Sequence, residues 1–270
     1  MRIYTYILCW NEEKILPFTL DHYDQFSDRI FLLDNYSTDK SLEIARKYEK
    51  VTVVPYSCKE EDKYDEKDIA NLRSNIYKDE TYGYNTKGKA NWAIIVDADE
   101  FVYHPDIEGI LEEYLKKEVG IPRLAGYDMY SKEFPEYKKG ELLIQKVKLG
   151  VESMSECKPV IINPNIVDVT YSPGAHFLTQ VSGRGLPSVN ADIKLLHYKS
   201  LGKEHVAERY EQLGSRSSWE NIANKYGEHW YDEKVRKSSL DAFDGAYEDA
   251  IQVVPDEEKR QSEGTSKKSN

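Results

Sequence analysis

Trp92-Ala93-Ile94-Ile95-Val96-Asp97-Ala98-Asp99-Glu100-Phe101 is the stretch on which the fold turns. Its first five residues are an apolar run rich in β-branched side chains, the pattern of a strand covered on both faces. The run ends in two aspartates one residue apart, followed by a glutamate. Carboxylates are rarely buried without a partner, so the cluster belongs where a strand leaves its sheet and meets a cleft. Open α/β sheets bind ligands outside the carboxyl ends of their strands, and hard oxygen donors at that point suit Mg2+ or Mn2+. The plainer reading is a turn whose aspartates cap the next helix.

Working outward, residues 2–9, 29–33 and 51–56 read as three earlier buried strands. Between them, Ile15, Leu16, Leu20 and Tyr23 fall at helical spacing with Asn11 as the expected cap, and residues 37–48 read as a helix capped by Ser37 or Thr38. Strands alternating with helices imply parallel βαβ units, hence an α/β fold with a mostly parallel central sheet flanked by helices. Residues 69–77 and 106–117 read as further helices. After Gly120 come short strand-like runs at 142–149, 159–162, 167–171 and 193–198, and helix returns over 201–250. Residues 257–270 lack apolar side chains and are expected to be a disordered tail. With no Pro/Gly/Ser-rich linker, residues 1–256 are expected to form a single domain.

Composition narrows the function. The formal net charge of −11 argues against a nucleic-acid-binding role. Three widely spaced cysteines, Cys9, Cys58 and Cys157, suit neither a disulfide framework nor a zinc site, so a reducing compartment is expected. The chain passes from Met1-Arg2 directly into a strand-like run, and no apolar run approaches the ~18 residues of a membrane span. A soluble cytoplasmic protein is therefore expected, with peripheral membrane contact left open. The turn Cys9-Trp10-Asn11-Glu12-Glu13 has no glycine, which excludes a Rossmann dinucleotide site. Asp34-Asn35-Tyr36-Ser37-Thr38-Asp39 could hydrogen-bond a nucleoside, Asn35 matching a uracil edge, or could cap the following helix.

Four segments in order, spanning residues 1–105, resemble family-two glycosyltransferases of the GT-A fold. They are Leu8-Cys9-Trp10-Asn11-Glu12, Asp34-Asn35-x-Ser37-x-Asp39, Arg73-Ser74-Asn75, and Asp97-Ala98-Asp99-Glu100-Phe101. A fifth, Leu196-His197-Tyr198-Lys199-Ser200, resembles a late element of the subset whose metal motif reads D-x-D-E-F. The resemblance implies transfer of a sugar from a nucleotide diphosphate donor, a UDP-sugar foremost, to a hydroxyl of a glycan or glycolipid acceptor, with inversion. It implies donor contacts at Asn11, Glu12, Asp34, Asn35, Asp39, Arg73 and Asp97, and a Mn2+ or Mg2+ ion held by Asp97, Asp99 and His197, with His176 a weaker candidate. Residues 1–105 would form the donor half, 106–200 the acceptor half and 201–256 a helical segment.

The sequence departs from the family pattern at Asn35, where an aspartate is usual, and in lacking the late Glu-Asp motif that supplies the base. Asp128 is taken as the candidate base, with Asp192, Glu152 and Glu156 as rivals. Two other readings compete. A haloacid-dehalogenase-like phosphohydrolase also places Asp-x-Asp after an apolar strand, but there a Thr or Ser is expected soon after on the same loop, where Glu100-Phe101-Val102-Tyr103 stands. A catalytically inactive glycan-binding relative would not need the Asp97/Asp99 pair. Oligomeric state is not legible.

Overall fold

The computed structural model describes residues 1–256, so the expected tail at 257–270 lies outside the described residues. In chain order the strands and helices alternate at first: β1 (Ile3–Cys9), α1 (Leu16–Tyr23), β2 (Arg29–Asp34), α2 (Ser41–Ala45), β3 (Val51–Pro55), α3 (Glu66–Asn75) and β4 (Trp92–Asp97). A mixed stretch follows with β5 (Glu100–Tyr103), α4 (Ile107–Lys116), β6 (Val119–Ile121), β7 (Leu124–Ser131), α5 (Leu143–Lys146), β8 (Leu149–Glu152) and β9 (Ile161–Ile162). Next come β10 (Val167–Tyr171), β11 (Leu178–Gly183), β12 (Leu186–Pro187) and β13 (Ile193–Leu201). The last part holds α6 (Lys203–Arg216), α7 (Trp219–Asn224), α8 (Glu228–Tyr231), α9 (Glu233–Asp241), α10 (Phe243–Glu248) and β14 (Ile251–Gln252).

The first sheet runs β3-β2-β1-β4-β9, with its first four strands parallel, as the alternating pattern requires. Both faces are covered. Ile7, Leu32, Ile94 and Val96 enter one apolar cluster while Tyr6, Leu33, Ala93 and Ile95 enter the other, which is the period of two expected of a strand buried on both sides. A second sheet runs β14-β8-β7-β13-β5. Only Ala98 and Asp99 separate β4 from β5. The Asp-x-Asp segment is therefore the corner at which the chain leaves one sheet and enters the other.

Three local expectations are corrected. Asn11 does not cap α1: that helix begins at Leu16 with Pro17 in its first turn, where a missing N–H costs no helical bond. Asn11 has a left-handed backbone (φ 51°) and turns its side chain to the β2–α2 loop instead. Ser37 and Thr38 do not cap α2, which is short and begins at Ser41; Asp39 accepts from the Ser41 amide at 2.9 Å. Residues 142–149 are not a strand: Leu143 to Lys146 form one helical turn that buries Leu143 and Ile144 before β8 begins.

The C-terminal helices are sewn to the first half. The Tyr64 amide donates to Arg216 O (2.7 Å), and Asn221 Nδ2 donates to Tyr64 O (2.8 Å). Ser218 Oγ donates to Asp65 Oδ2 (2.6 Å), the carboxylate that also caps α3 through the Lys67 and Asp68 amides.

Candidate active site

At the carboxyl edge of the first sheet, the turns after β1 and β2 bind each other. Asn11 Oδ1 accepts from the Thr38 amide (2.7 Å), Ser37 Oγ from the Asn11 amide (3.0 Å), and Asp39 Oδ2 from the Glu13 amide (2.9 Å). Buried Asp34 accepts from the Ser37 amide at 3.2–3.3 Å. Asn35 donates to Tyr56 O (3.0 Å) and accepts from Arg216 Nη2 (2.5 Å), and that guanidinium lies 4.1 Å from the Trp10 ring centroid. Asn11, Asp34, Asn35 and Asp39 thus build the edge and do not line the cavity beside it.

That cavity, about 210 Å³, is lined by Glu12, Arg73, Asp97, Asp99 and His197 among the residues singled out from sequence. β4 and α3 bring the first pair together: buried Arg73 donates to Asp97 Oδ1 at 2.5 Å and to Ile95 O at 3.3 Å. The Asp97 and Asp99 side chains remain 32% and 30% exposed, the opening a ligand would need. Asp99 Oδ2 lies 3.3 Å from His197 Nε2. Glu12 pairs with Arg209, which also donates to Trp10 O (3.1 Å) and Asn11 O (3.3 Å) and so joins α6 to the β1 turn.

Beneath the corner lies a buried charge network set by strand register. His197 on β13 stands opposite Glu100 on β5 and Asp128 on β7, and residues directly opposite share a face. His197 Nδ1 is 2.9 Å from Glu156 Oε2. Lys158 Nζ lies 2.7 Å from Glu100 Oε1 and 3.2 Å from Glu156 Oε2, and Lys199 Nζ lies 2.8 Å from Asp128 Oδ1 and 3.1 Å from Glu156 Oε1. Burial disfavours charge on His197, but Asp99 and Glu156 outweigh it and push its pKa up to about 10. Burial likewise works against ionised Asp99, yet His197 draws its pKa down to about 2. Glu156 is held well below the usual range by His197, Lys158 and Lys199 against its burial.

Two cation sites can be weighed. Glu100, Glu156 and His197 offer donor atoms within 4.8 Å of one another, but the Lys158 ammonium already fills the position between the two glutamates. A divalent ion there would have to expel a buried charge that both carboxylates need. Asp97, Asp99 and His197 line the cavity with partly open carboxylates, and Asp99 Oδ2 is 3.3 Å from His197 Nε2, but donor atoms of these three do not all come within 4.8 Å of one another. His176 also lines the cavity, with Nδ1 2.8 Å from Ser155 O.

Asp128 stands outside the cavity and is bonded to Lys199. Among its rivals, Asp192 accepts from the Tyr114 hydroxyl (2.9 Å), and neither it nor Glu152 lines the cavity. Glu156 does line it, but is engaged by three cations. Lys158, Lys199, Arg209 and Arg216 escaped sequence reading. Lys158 sits in Cys157-Lys158-Pro159, where no periodicity marks it. Arg209 could have been found: His205, Val206, Arg209, Tyr210 and Leu213 fall on one face of α6, and all five line the cavity.

No family model and no curated protein matches the chain. It is similar to solved structures. One is the S. aureus TarS 1-349 fragment (13% identity, 91% of this chain, 74% of that chain, TM-score 0.40). Another is the same fragment in complex with UDP-GlcNAc (12%, 86% of this chain, 71% of that chain, TM-score 0.43). A third is glucosyl-3-phosphoglycerate synthase from Mycobacterium tuberculosis in complex with Mn2+, UDP and glucosyl-3-phosphoglycerate (15%, 47% of this chain, 44% of that chain, TM-score 0.32). The chain thus spans less than half of that synthase, and only 42% of the longer TarS structure. At these identities the likenesses assign no residue a role.

Proposed function

We propose that this chain is a metal-dependent glycosyltransferase of the GT-A type, moving a sugar from a nucleotide diphosphate donor, UDP-linked foremost, to a hydroxyl of a glycan or glycolipid, with inversion. The observation that supports the reading is that Asp97 and Asp99, at the corner between the two sheets, keep partly open carboxylates on a cavity that His197, Arg73 and Arg209 also line.

Asp99 and His197, with Asp97, would hold Mn2+ or Mg2+. The ion supplies Lewis-acid neutralisation of a diphosphate leaving group. His197 would have to give up its proton to serve, with the Glu156 carboxylate 2.9 Å from its other ring nitrogen. Arg73 fixes Asp97 and adds positive charge to the donor side. The zipped turns carrying Asn11, Asp34, Asn35 and Asp39 would form the floor under the nucleoside, with Glu12 and Arg209 closing its end.

Residues 1–105 would serve the donor, and 106–200 with the helical segment 201–256 the acceptor, in one domain. Three free cysteines suit a reducing, cytoplasmic setting, in which the product would be a polysaccharide or other surface glycan, with or without peripheral membrane contact. The phosphohydrolase alternative loses ground here. Residues 100–103, where a Thr or Ser would be expected, form β5, and Glu100 is fully buried against Lys158.

The test is thermal denaturation with UDP- and GDP-sugars, with and without Mn2+. A true donor at 100 times its Kd adds about 2.7 kcal/mol of stability. The reading fails if no nucleotide stabilises the wild type in Mn2+ and Asp99→Ala behaves identically.

A further inference from the structure

The Asp97 and Asp99 chemistry leaves the far wall of the cavity unused. That wall comes from α6, α8 and the segment before α3. Tyr210 and His229 meet edge to face with centroids 4.9 Å apart, His229 and Trp230 at 5.2 Å, and Trp230 and Tyr64 at 5.3 Å. All four rings line the same cavity as the aspartates. Tyr210, His229 and Trp230 are half-buried, and among the described residues the Tyr210 hydroxyl, the His229 ring nitrogens and the Trp230 indole N–H are not tied up in hydrogen bonds within the protein, which leaves them open to a molecule in the cavity. Burial, with help from the Lys199 charge, lowers the His229 pKa to about 4, so near neutral pH the ring is uncharged and offers one donor and one acceptor.

Flat apolar faces bearing unused donors and acceptors match a ligand with a C–H face and a rim of hydroxyls. We propose that Tyr210, His229 and Trp230 form a subsite for a pyranose ring, on the wall of the cavity that the C-terminal helices supply. The identity of that ring as a substrate rests on the transferase reading; the subsite itself rests on the wall. Two sources share this chemistry, the sugar of the donor and the terminal sugar of an acceptor. The stitches from Tyr64 and Asp65 to residues 216–221 hold the wall in place, so it need not form on binding.

Calorimetric titration of the full chain in Mn2+ separates the cases. The probes are UDP, UDP-glucose, UDP-N-acetylglucosamine, and the methyl glycosides of glucose, galactose, mannose and N-acetylglucosamine. Expected is either tighter binding of a UDP-sugar than of UDP, identifying a donor ring, or binding of a methyl glycoside, identifying an acceptor ring. That sugar-dependent affinity should fall about tenfold in Trp230→Ala, and less in Tyr210→Phe, which keeps the ring and its packing. UDP affinity should not change in either. Sugar-dependent affinity unaltered in both variants overturns the subsite. So does wild type that binds UDP with Mn2+ but gains nothing from any sugar, and that result leaves the transferase reading standing. Wild type that binds no nucleotide yet binds a glycoside through Trp230 overturns the transferase reading and keeps the subsite. Binding of neither overturns both.

Discussion

Two acidic clusters stand at the carboxyl ends of parallel strands on either side of β1, and they behave differently. Asp34 and Asp39, after β2, give their oxygens to the amides of Ser37, Glu13 and Ser41. Asp97 and Asp99, after β4, leave part of each carboxylate open to a cavity. The residue types and the strand position are alike. The path of the chain beyond each strand makes the difference. After β2 the chain makes a loop whose amides need acceptors. After β4 it passes within two residues into another sheet, where β5 and β13 supply the next hydrogen bonds and the aspartate side chains are released from that duty.

The comparison can be broken at several points. The largest effect is expected beneath the open cluster. Lys158→Met leaves Glu100 and Glu156 buried without their shared cation and should cost about 3–5 kcal/mol in urea unfolding. A neutral outcome would mean that the network does not support the corner. Asp99→Asn keeps the shape and removes the charge, and should lower transfer about 10²–10³-fold, read as product formed per enzyme in Mn2+. In the closed cluster, Asp39→Ala should instead cost about 1–2 kcal/mol of stability through two lost amide bonds, with metal-dependent nucleotide binding retained at temperatures where the variant is folded. Loss of binding with stability intact would make the two clusters equivalents.

The smallest effect is a slope with pH. The folded-state pKa of His197 is raised to about 10 from an ordinary 6.5. Its contribution is therefore fully present below about pH 6.5 and is lost as pH rises through 10, at no more than about 1.4 kcal/mol per pH unit. Subtracting the metal-free His197→Gln curve from wild type should show that slope; a flat difference would mean the imidazole is already neutral.

The same contrast explains what could be read from the chain. The parallel sheet was legible because its strands are largely apolar runs and the first three are each followed by a helix. The position of Asp97 and Asp99 at a strand end was legible for the same reason. The orientation of Asn11, Ser37 and Thr38 was not, because cap residues and loop acceptors are the same residue types and only the partner turn, 26–28 residues away, decides between them. Glu156, Lys158 and Lys199 come together through the pairing of β5, β7, β13 and the segment before β9, a register that no local pattern encodes. Residues 142–149 misled because Leu142, Leu143, Ile144 and Val147 fit a strand as well as they fit one turn of helix.

The stitches between Tyr64, Asp65 and residues 216–221 link positions about 150 apart in sequence. Such contacts close a long loop and are among the slower ones to form. The parallel strands can settle while the last quarter of the chain is still unplaced, but the cavity then has only the wall that carries the aspartates. Binding competence therefore arrives as a late step in folding, separable in time from the appearance of the sheet. In a refolding experiment, secondary structure should recover before the protein regains any affinity for nucleotide.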